Sequence, residues 1–247
     1  MDFKDKVVLV TGSSRGLGSR IVYDFARSGA NVVINYCSNF SEACSLKEKI
    51  EKDFSSSVLL CKCDVSIEEE VSDMVSSVIE KFGKVDILVN NAGICFDCEF
   101  DKKDINDFKR ILDVNLIGTY LVSKYVGQYM LRDKCGKIIN ISSDNALDNF
   151  YPESFDYDAS KAGVISLTHN MAKFYAPYVN VNCVCPGWIN TDMNKDMDSE
   201  LRKEFENKIL LMRFSDVSEI SNVVLFLASD KASYVNDSII KVNGGSL

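Results

Sequence analysis

A run of β-branched apolar residues, Lys6-Val-Val-Leu-Val10, gives way to Thr11-Gly-Ser-Ser-Arg-Gly-Leu-Gly18 and then to a helical pattern over 19–28 that Gly29 stops. Few folds accommodate that succession. The apolar run reads as a strand buried on both faces. The glycine-rich turn delivers the chain into a helix N-terminus, where free N–H groups face an anion and missing side chains let a pyrophosphate approach. The spacing Gly12-x-x-x-Gly16-x-Gly18 differs from the tighter G-x-G-x-x-G. The phosphate reading therefore rests on the strand before it and the helix after it. Gly12, Ser14, Arg15, Gly16, Leu17 and Gly18 are the candidate contacts.

The rest of the chain keeps alternating. Asn31-Val-Val-Ile-Asn-Tyr36 is a second strand, 40–54 a helix and 58–61 a third strand. Ser66-Ile-Glu-Glu69 has the form of a capping box opening a helix that runs to 82 and ends at Gly83. Residues 85–89 form strand four, followed by Asn90-Asn91-Ala92-Gly93. A long helix carrying Asn115 extends to about 132, and strand five, 137–141, ends in Ser142-Ser143. After a polar loop over 144–156 comes a helix with Tyr157 and Lys161, then strand six at 179–184 and Pro186-Gly187. The mixed segment 188–214 reads as a lid over a bound substrate. Asp216 and Glu219 cap a last helix, and 239–242 is the final strand. Strand–helix alternation of this kind predicts an α/β fold, a doubly wound, mostly parallel sheet with helices on both faces. No Pro-rich linker or repeat divides the chain, so 1–247 reads as a single domain.

The end of the second strand should lie beside an adenosine ribose. A site selective for NAD places an acid there, about 20 residues past the glycines. This chain offers Asn35, Tyr36, Cys37 and Ser38 instead. No carboxylate repels a 2′-phosphate, and Arg15 can pair with one, so the reading is NADP(H). Asp64 and Val65, after the third strand, fall near the adenine.

A net charge of −8 argues against nucleic acid, whose backbone needs a basic surface. No apolar run approaches the ~20 residues of a membrane span, and the N-terminus lacks a signal-peptide pattern, so the expected location is cytoplasmic. The nine cysteines form one CxxC, Cys95 and Cys98, with no second pair at zinc-finger spacing; they read as reduced thiols. His169 is the sole histidine, which leaves little for a Ser-His-Asp or multi-histidine metal site. No metal is expected.

Tyr157 and Lys161 lie one helical turn apart on one face. A phenol with a pKa of ~10 is a poor acid or base at neutral pH. A neighbouring ammonium favours the phenolate and brings that value toward the working range. Such a pair exchanges a proton with a carbonyl or alcohol oxygen.

In sequence order, Thr11-Gly-x-x-x-Gly-x-Gly18, Asn90-Asn-Ala-Gly93, Asn115, Ile141-Ser-Ser143, Tyr157-x-x-x-Lys161 and Pro186-Gly187 resemble the short-chain dehydrogenase/reductase family over essentially the whole chain. With the ending Val242-Asn-Gly-Gly245, the pattern looks most like its 3-oxoacyl-acyl-carrier-protein reductase branch. The resemblance implies a seven-stranded parallel sheet and a catalytic tetrad of Asn115, Ser143, Tyr157 and Lys161, with Ser142 as a rival to Ser143. Tyr157 is then the acid in reduction. Lys161 lowers its pKa and binds the nicotinamide ribose, Ser143 bonds the substrate oxygen, and Asn115 holds a water that relays protons to Lys161. By the same resemblance Gly12, Arg15, Gly18, Asp64, Val65, Asn91, Ala92 and Gly93 contact the cofactor, as do Pro186 and Gly187, with Ile189 and Thr191 near the nicotinamide amide.

It also implies a homotetramer packed through the helices carrying Asn115 and Tyr157, and an acyl-carrier protein as partner in fatty acid synthesis. Where that branch carries two docking arginines, this chain has Lys134 and Tyr178, and acids Asp144, Asp148, Glu153, Asp156 and Asp158 crowd the loop beside the site. Arg202, Lys203 and Lys208 in the lid are substitute cations. Two alternatives follow: a short-chain dehydrogenase for a small ketone, sugar, polyol or steroid, and a non-catalytic NADP(H)-sensing protein, which has no chemical need of a tetrad.

Overall fold

The structure is a computed structural model, and it describes residues 1–191 and 197–246. Seven parallel strands, ordered β3-β2-β1-β4-β5-β6-β7, form the kind of parallel α/β sheet that the alternation predicts. They are β1 (Val7–Val10), β2 (Asn31–Tyr36), β3 (Val58–Lys62), β4 (Ile87–Asn90), β5 (Gly136–Ile141), β6 (Val179–Pro186) and β7 (Ile239–Val242). The helices are α1 (Gly16–Arg27), α2 (Phe40–Asp53), α3 (Glu68–Phe82), α4 (Ile105–Leu112), α5 (Gly118–Asp133), α6 (Phe155–Tyr175), α7 (Ser199–Asn207) and α8 (Val217–Ala228).

All four residues of β1 are buried, and their alternation feeds two cores. Val8 and Val10 pack with Ile21 and Phe25 of α1, Ile50 of α2 and Ile220 of α8. Val7 and Leu9 face the other way, toward Val75 of α3, Val122 of α5 and Met171 of α6. Helices cover both faces because each face of a parallel strand is apolar. Strand order reverses between β1 and β4, so their carboxyl ends open a crevice where such sheets bind ligands. There Thr11 donates its N–H to Val89 O at 3.0 Å, while its hydroxyl oxygen accepts the N–H groups of Asn91 and Ala92 at 2.9 and 3.0 Å.

Three local expectations change. The capping box at Ser66 does not form: α3 starts after Ile67 without a side-chain cap. Ser66 turns back instead and gives its N–H and hydroxyl to Asp64 Oδ1, at 3.0 and 2.7 Å. The Ser66 oxygen, which a cap would use as its acceptor, takes an N–H of Arg110 at 2.7 Å. The long helix through Asn115 is broken, with a π turn at Asp113–Ile117 separating α4 from α5. Such turns concentrate at functional sites because they displace a side chain from the regular ladder. The loop over 144–156 contains two short 3₁₀ turns, Asp144–Ala146 and Pro152–Ser154. The capping box of Asp216 and Glu219 does form. The predicted lid contains α7, while its stretch 192–196 lies outside the described residues. Among the described residues no helix is long and apolar enough to cross a membrane.

Close helix packing has its own sequence requirement. A Cβ on Gly127 of α5 would stand 2.3 Å from the Tyr175 hydroxyl of α6, which donates to Ser123 O at 2.8 Å. Gly127→Val should therefore cost about 1–3 kcal/mol, seen as a lower denaturant midpoint at unchanged m-value.

Candidate active site

The glycine turn is shaped from behind by amides. Gly12 and Gly16 take φ values of 60° and 57°, which favour glycine. Gly12 N–H donates to Asn35 Oδ1 at 2.9 Å, and the Asn35 amide donates to the carbonyls of Cys61 and Cys63 at 3.3 and 3.1 Å. Asn35 is 2% exposed. It is thus a strut between β2, β3 and the turn, with its amide turned inward, which corrects the expectation that it meets the ribose. Asn91 is a second strut, donating to the carbonyls of Thr11 and Gly12 at 2.9 and 3.1 Å.

Added Cβ atoms would strike Ala92 Cα at 2.8 Å from Gly12 and the Asn91 amide at 2.5 Å from Gly18. The helix start itself carries no side-chain cap. Uncapped N–H groups above a turn stripped of side chains fit a dinucleotide pyrophosphate. Ser14 lies on this turn, and Leu17 packs its side chain against the core below. Arg15 is exposed and enters no ion pair among the described residues.

Ser38 is exposed just past β2. At the end of β3, Asp64 is bonded to Arg110 Nη2 at 2.7 Å as well as to Ser66. Partial burial pushes its pKa up, but the Ser66 and Arg110 bonds outweigh that and leave it lowered. Val65 is buried against Gly118, where an added Cβ would come within 2.7 Å of its methyl. Past β6, Gly187 donates its N–H to Val242 O at 3.2 Å and packs against Asn243. Ile189 pairs with Ser215, and Thr191 is half-buried at the edge of the described chain.

The four tetrad residues come from three elements and meet at the strand ends. Asn115, on the π turn, is fully buried and clamps Ile94 from both sides. Its Oδ1 accepts Ile94 N–H at 2.8 Å, and its Nδ2 donates to Ile94 O and to Ser160 Oγ, both at 3.0 Å. Lys161 on α6 is 4% exposed and donates from Nζ to Ile141 O at 2.9 Å. Gly93 makes room here, since a Cβ there would stand 3.3 Å from Lys161 Nζ and 3.4 Å from Asn115 Oδ1. Tyr157, one turn before Lys161, has its ring centroid 5.5 Å from Nζ.

The two serines separate cleanly. Ser142 donates its hydroxyl to Lys161 O at 2.8 Å and belongs to the scaffold. Ser143 accepts the Asn145 N–H at 3.2 Å, and its hydroxyl lies near enough to the Tyr157 phenol to pull that pKa down.

The electrostatics invert one expectation. Burial, reinforced by the Cys95 thiol and by Asp144 and Asp158, holds the Tyr157 phenol above the ordinary tyrosine range, and the Ser143 bond offsets only part of this. The Lys161 ammonium is itself disfavoured by burial, and its pKa falls to about 8. Burial thus pushes the phenol up and the amine down, each toward its neutral form, and Tyr157 keeps its proton.

Several residues of the site were not singled out by motif. Ser160 completes the Asn115 clamp. Asp158 accepts from Asn145 Nδ2 and Ser154 Oγ at 2.9 Å and from Tyr151 N–H at 3.0 Å, pinning the serine loop to α6. Its position in the first turn of α6, where helix dipoles favour acids, was the available signal. Asp144 is buried beside Ser143 and accepts from Asn149 and Asn243 at 2.8 and 3.4 Å. The nine cysteines are unbridged, with Cys183 and Cys185 sulfurs 3.9 Å apart under Lys161. His169 contacts Asp237 at 2.5 Å on the surface.

The Lys161 amine ties stability to pH. Its folded value of about 8 lies below its ordinary 10.5, so between these the unfolded chain binds more protons and stability rises with pH. The stability advantage of Lys161→Met over wild type should be constant below about pH 8 and shrink above it, as followed by denaturant melts from about pH 7 to about pH 10. A constant difference throughout would contradict a depressed amine.

Comparison with known proteins agrees with this geometry. The family profile described as enoyl-(acyl carrier protein) reductase matches residues 12–246. The 3-oxoacyl-[acyl-carrier-protein] reductase FabG of Staphylococcus epidermidis is 38% identical over 243 residues, covering 98% of each chain. Among solved structures, 3-oxoacyl-[acyl-carrier protein] reductase from Brucella melitensis superposes with a TM-score of 0.92 at 27% identity, over 99% of this chain and 92% of its own. Levodione reductase does so with a TM-score of 0.93 at 30% identity, over 98% of both. A relative matched from end to end, a profile covering nearly the whole chain and the same sheet place this protein in the short-chain dehydrogenase/reductase family, as an oxidoreductase that uses a nicotinamide cofactor.

Proposed function

We propose that this chain is an NADPH-dependent reductase of 3-oxoacyl thioesters, working on acyl-carrier-protein substrates in fatty acid synthesis. The observation that carries the reading is the convergence of Asn115, Ser143, Tyr157 and Lys161 at the sheet's carboxyl edge in a chain 38% identical to a 3-oxoacyl-[acyl-carrier-protein] reductase. When bound, the reduced nicotinamide supplies a hydride to the carbonyl carbon.

Tyr157 then gives its proton to the oxygen that becomes the alcohol, a task suited to a phenol held protonated. The Ser143 hydroxyl donates a hydrogen bond to the same oxygen, where negative charge develops. Ser143 takes this role because the Ser142 hydroxyl is committed to Lys161 O. Lys161 holds the cofactor ribose and stands ready to pass a proton toward Tyr157. Asn115 keeps the β4 end in place through Ile94, beside the Lys161 amine, where the relay water would lie. Arg15, exposed beside the helix start, pairs with a 2′-phosphate and sets the preference for NADPH.

The protein is read as one domain over 1–247 with 188–214 as its lid, acting in the cytoplasm as a homotetramer packed through α5 and α6. Exposed Tyr120 on α5 and Phe174 on α6 support that packing. The carrier protein would meet Lys134, which lies over the Tyr178 ring at 5.7 Å, and Lys203 of α7. One observation keeps a small-ketone substrate as the second reading: two of the three lid cations are already paired, Arg202 with Glu206 and Lys208 with Glu204.

Tyr157→Phe should lower kcat by about 10²–10⁴-fold with NADPH binding nearly intact, measured by turnover and by cofactor titration. Arg15→Glu should raise the KM for NADPH by about tenfold to hundredfold, the loss of a charge-assisted bond worth about 1.5–3 kcal/mol, and leave NADH nearly unaffected. A panel of ketones with acetoacetyl thioester, scored by loss of NADPH absorbance, tests the substrate. Fast reduction of the thioester is expected. Indifference to it with rapid turnover of a small ketone would establish the second reading.

A further inference from the structure

Between β4 and α4 the segment 94–103 has no regular structure, yet it is fastened at both ends. At one end the Asn115 side chain grips both polar groups of Ile94. At the other, the Lys103 side chain is only 3% exposed and its Nζ lies 2.9 Å from Oδ2 of Asp156, whose side chain is 0% exposed. The same ammonium donates to Phe96 O, folding the segment back on itself. Asp156 Oδ1 accepts the N–H of Tyr157 at 2.9 Å. Two further contacts join the same pieces of chain: Cys98 N–H donates to Glu153 O at 2.9 Å, and the rings of Phe100 and Phe155 lie 4.7 Å apart.

An ion pair removed from water is a poor source of stability, since an apolar pair of similar volume does as well or better. What this one supplies is a fixed spacing. The carboxylate is one residue from Tyr157 and bonded to its backbone, and the ammonium belongs to the segment that starts at the other side of the tetrad. Cys95, within that segment, lies close enough to the phenol to push its pKa up, so the segment borders the reacting group. Neither Lys103 nor Asp156 is placed on the substrate or cofactor.

We propose that the buried Lys103–Asp156 pair is a positioning device: it clamps the segment 94–103 to the start of α6 and so sets the gap through which a carbonyl substrate reaches Tyr157. The proposal rests on the carbonyl-reductase reading given above.

Its test separates position from stability. Lys103→Met alone leaves the Asp156 carboxylate buried without its counter-charge and should lower Tm. Combining it with Asp156→Asn removes both charges and should restore Tm. In that stable double variant the KM for the carbonyl substrate should stay raised about tenfold, with kcat and NADPH affinity within about twofold of wild type. Backbone amide exchange over 95–103 should be faster in the same protein.

Recovery of wild-type KM and exchange together with Tm would overturn the proposal, because a merely structural pair has no other readout. The carbonyl used is acetoacetyl thioester or, if the wild type ignores it, the ketone of the panel it reduces fastest. An error in substrate class then shows in the wild type. An error in positioning shows only in the ratio of variant to wild type and in the exchange rates.

Discussion

The site depends on keeping an ammonium almost completely out of water. Lys161 is 4% exposed, and its ammonium donates to the carbonyl of Ile141. Burial of that charge is costly, and it lowers the pKa of the amine to about 8. The surrounding chain is arranged to hold it there. Ser142 fixes the Lys161 backbone, Gly93 leaves space for the amine, and α6 places Tyr157 one turn away. The same burial acts on the phenol in the opposite sense, keeping it protonated. A donor that must keep its proton until charge develops on a substrate oxygen is served by that environment.

The cofactor end of the crevice follows a different rule. Here the side chains mostly hold backbone, and the backbone is left to meet the ligand. Thr11, Asn35 and Asn91 all turn their polar groups onto the glycine turn or the β4 end, so the uncapped start of α1 stays open. This division suits the two tasks. Pyrophosphate binding needs a close approach of N–H groups, whereas proton transfer needs one phenol aimed to within a hydrogen bond.

The segments around the site are tied together mainly by charged or amide side chains reaching across the chain. Asp158 pins the serine loop, Asp144 ties it to Asn243, and Lys103 reaches Asp156. The acids that made the loop over 144–156 look repulsive to an acidic partner are thus largely spoken for. Asp144, Asp156 and Asp158 are buried, and Asp148 is bonded to Lys241. An acid counted from sequence as surface charge can be internal structure.

The succession of strands and helices, both apolar faces of β1, the glycine turn and the one-turn spacing of Tyr157 and Lys161 were legible in the sequence, because each depends on a period of two or 3.6 residues or on a local backbone need. The failures share a cause. Ser66 had the form of a cap until Asp64 and Arg110 competed for it, Asn35 read as a ribose contact until Cys61 and Cys63 claimed its amide, and the helix through Asn115 read as continuous until the ladder slipped into a π turn. Each was decided by partners distant in sequence or by the geometry of the completed fold. Residue order alone determined that a phenol and an amine share a helix face beside a nucleotide-binding sheet. Only tertiary packing decided which serine faces the phenol and which side chains wall the cleft. It also decided that the phenol holds its proton, since desolvation depends on everything that surrounds a group and not on its neighbours in the chain.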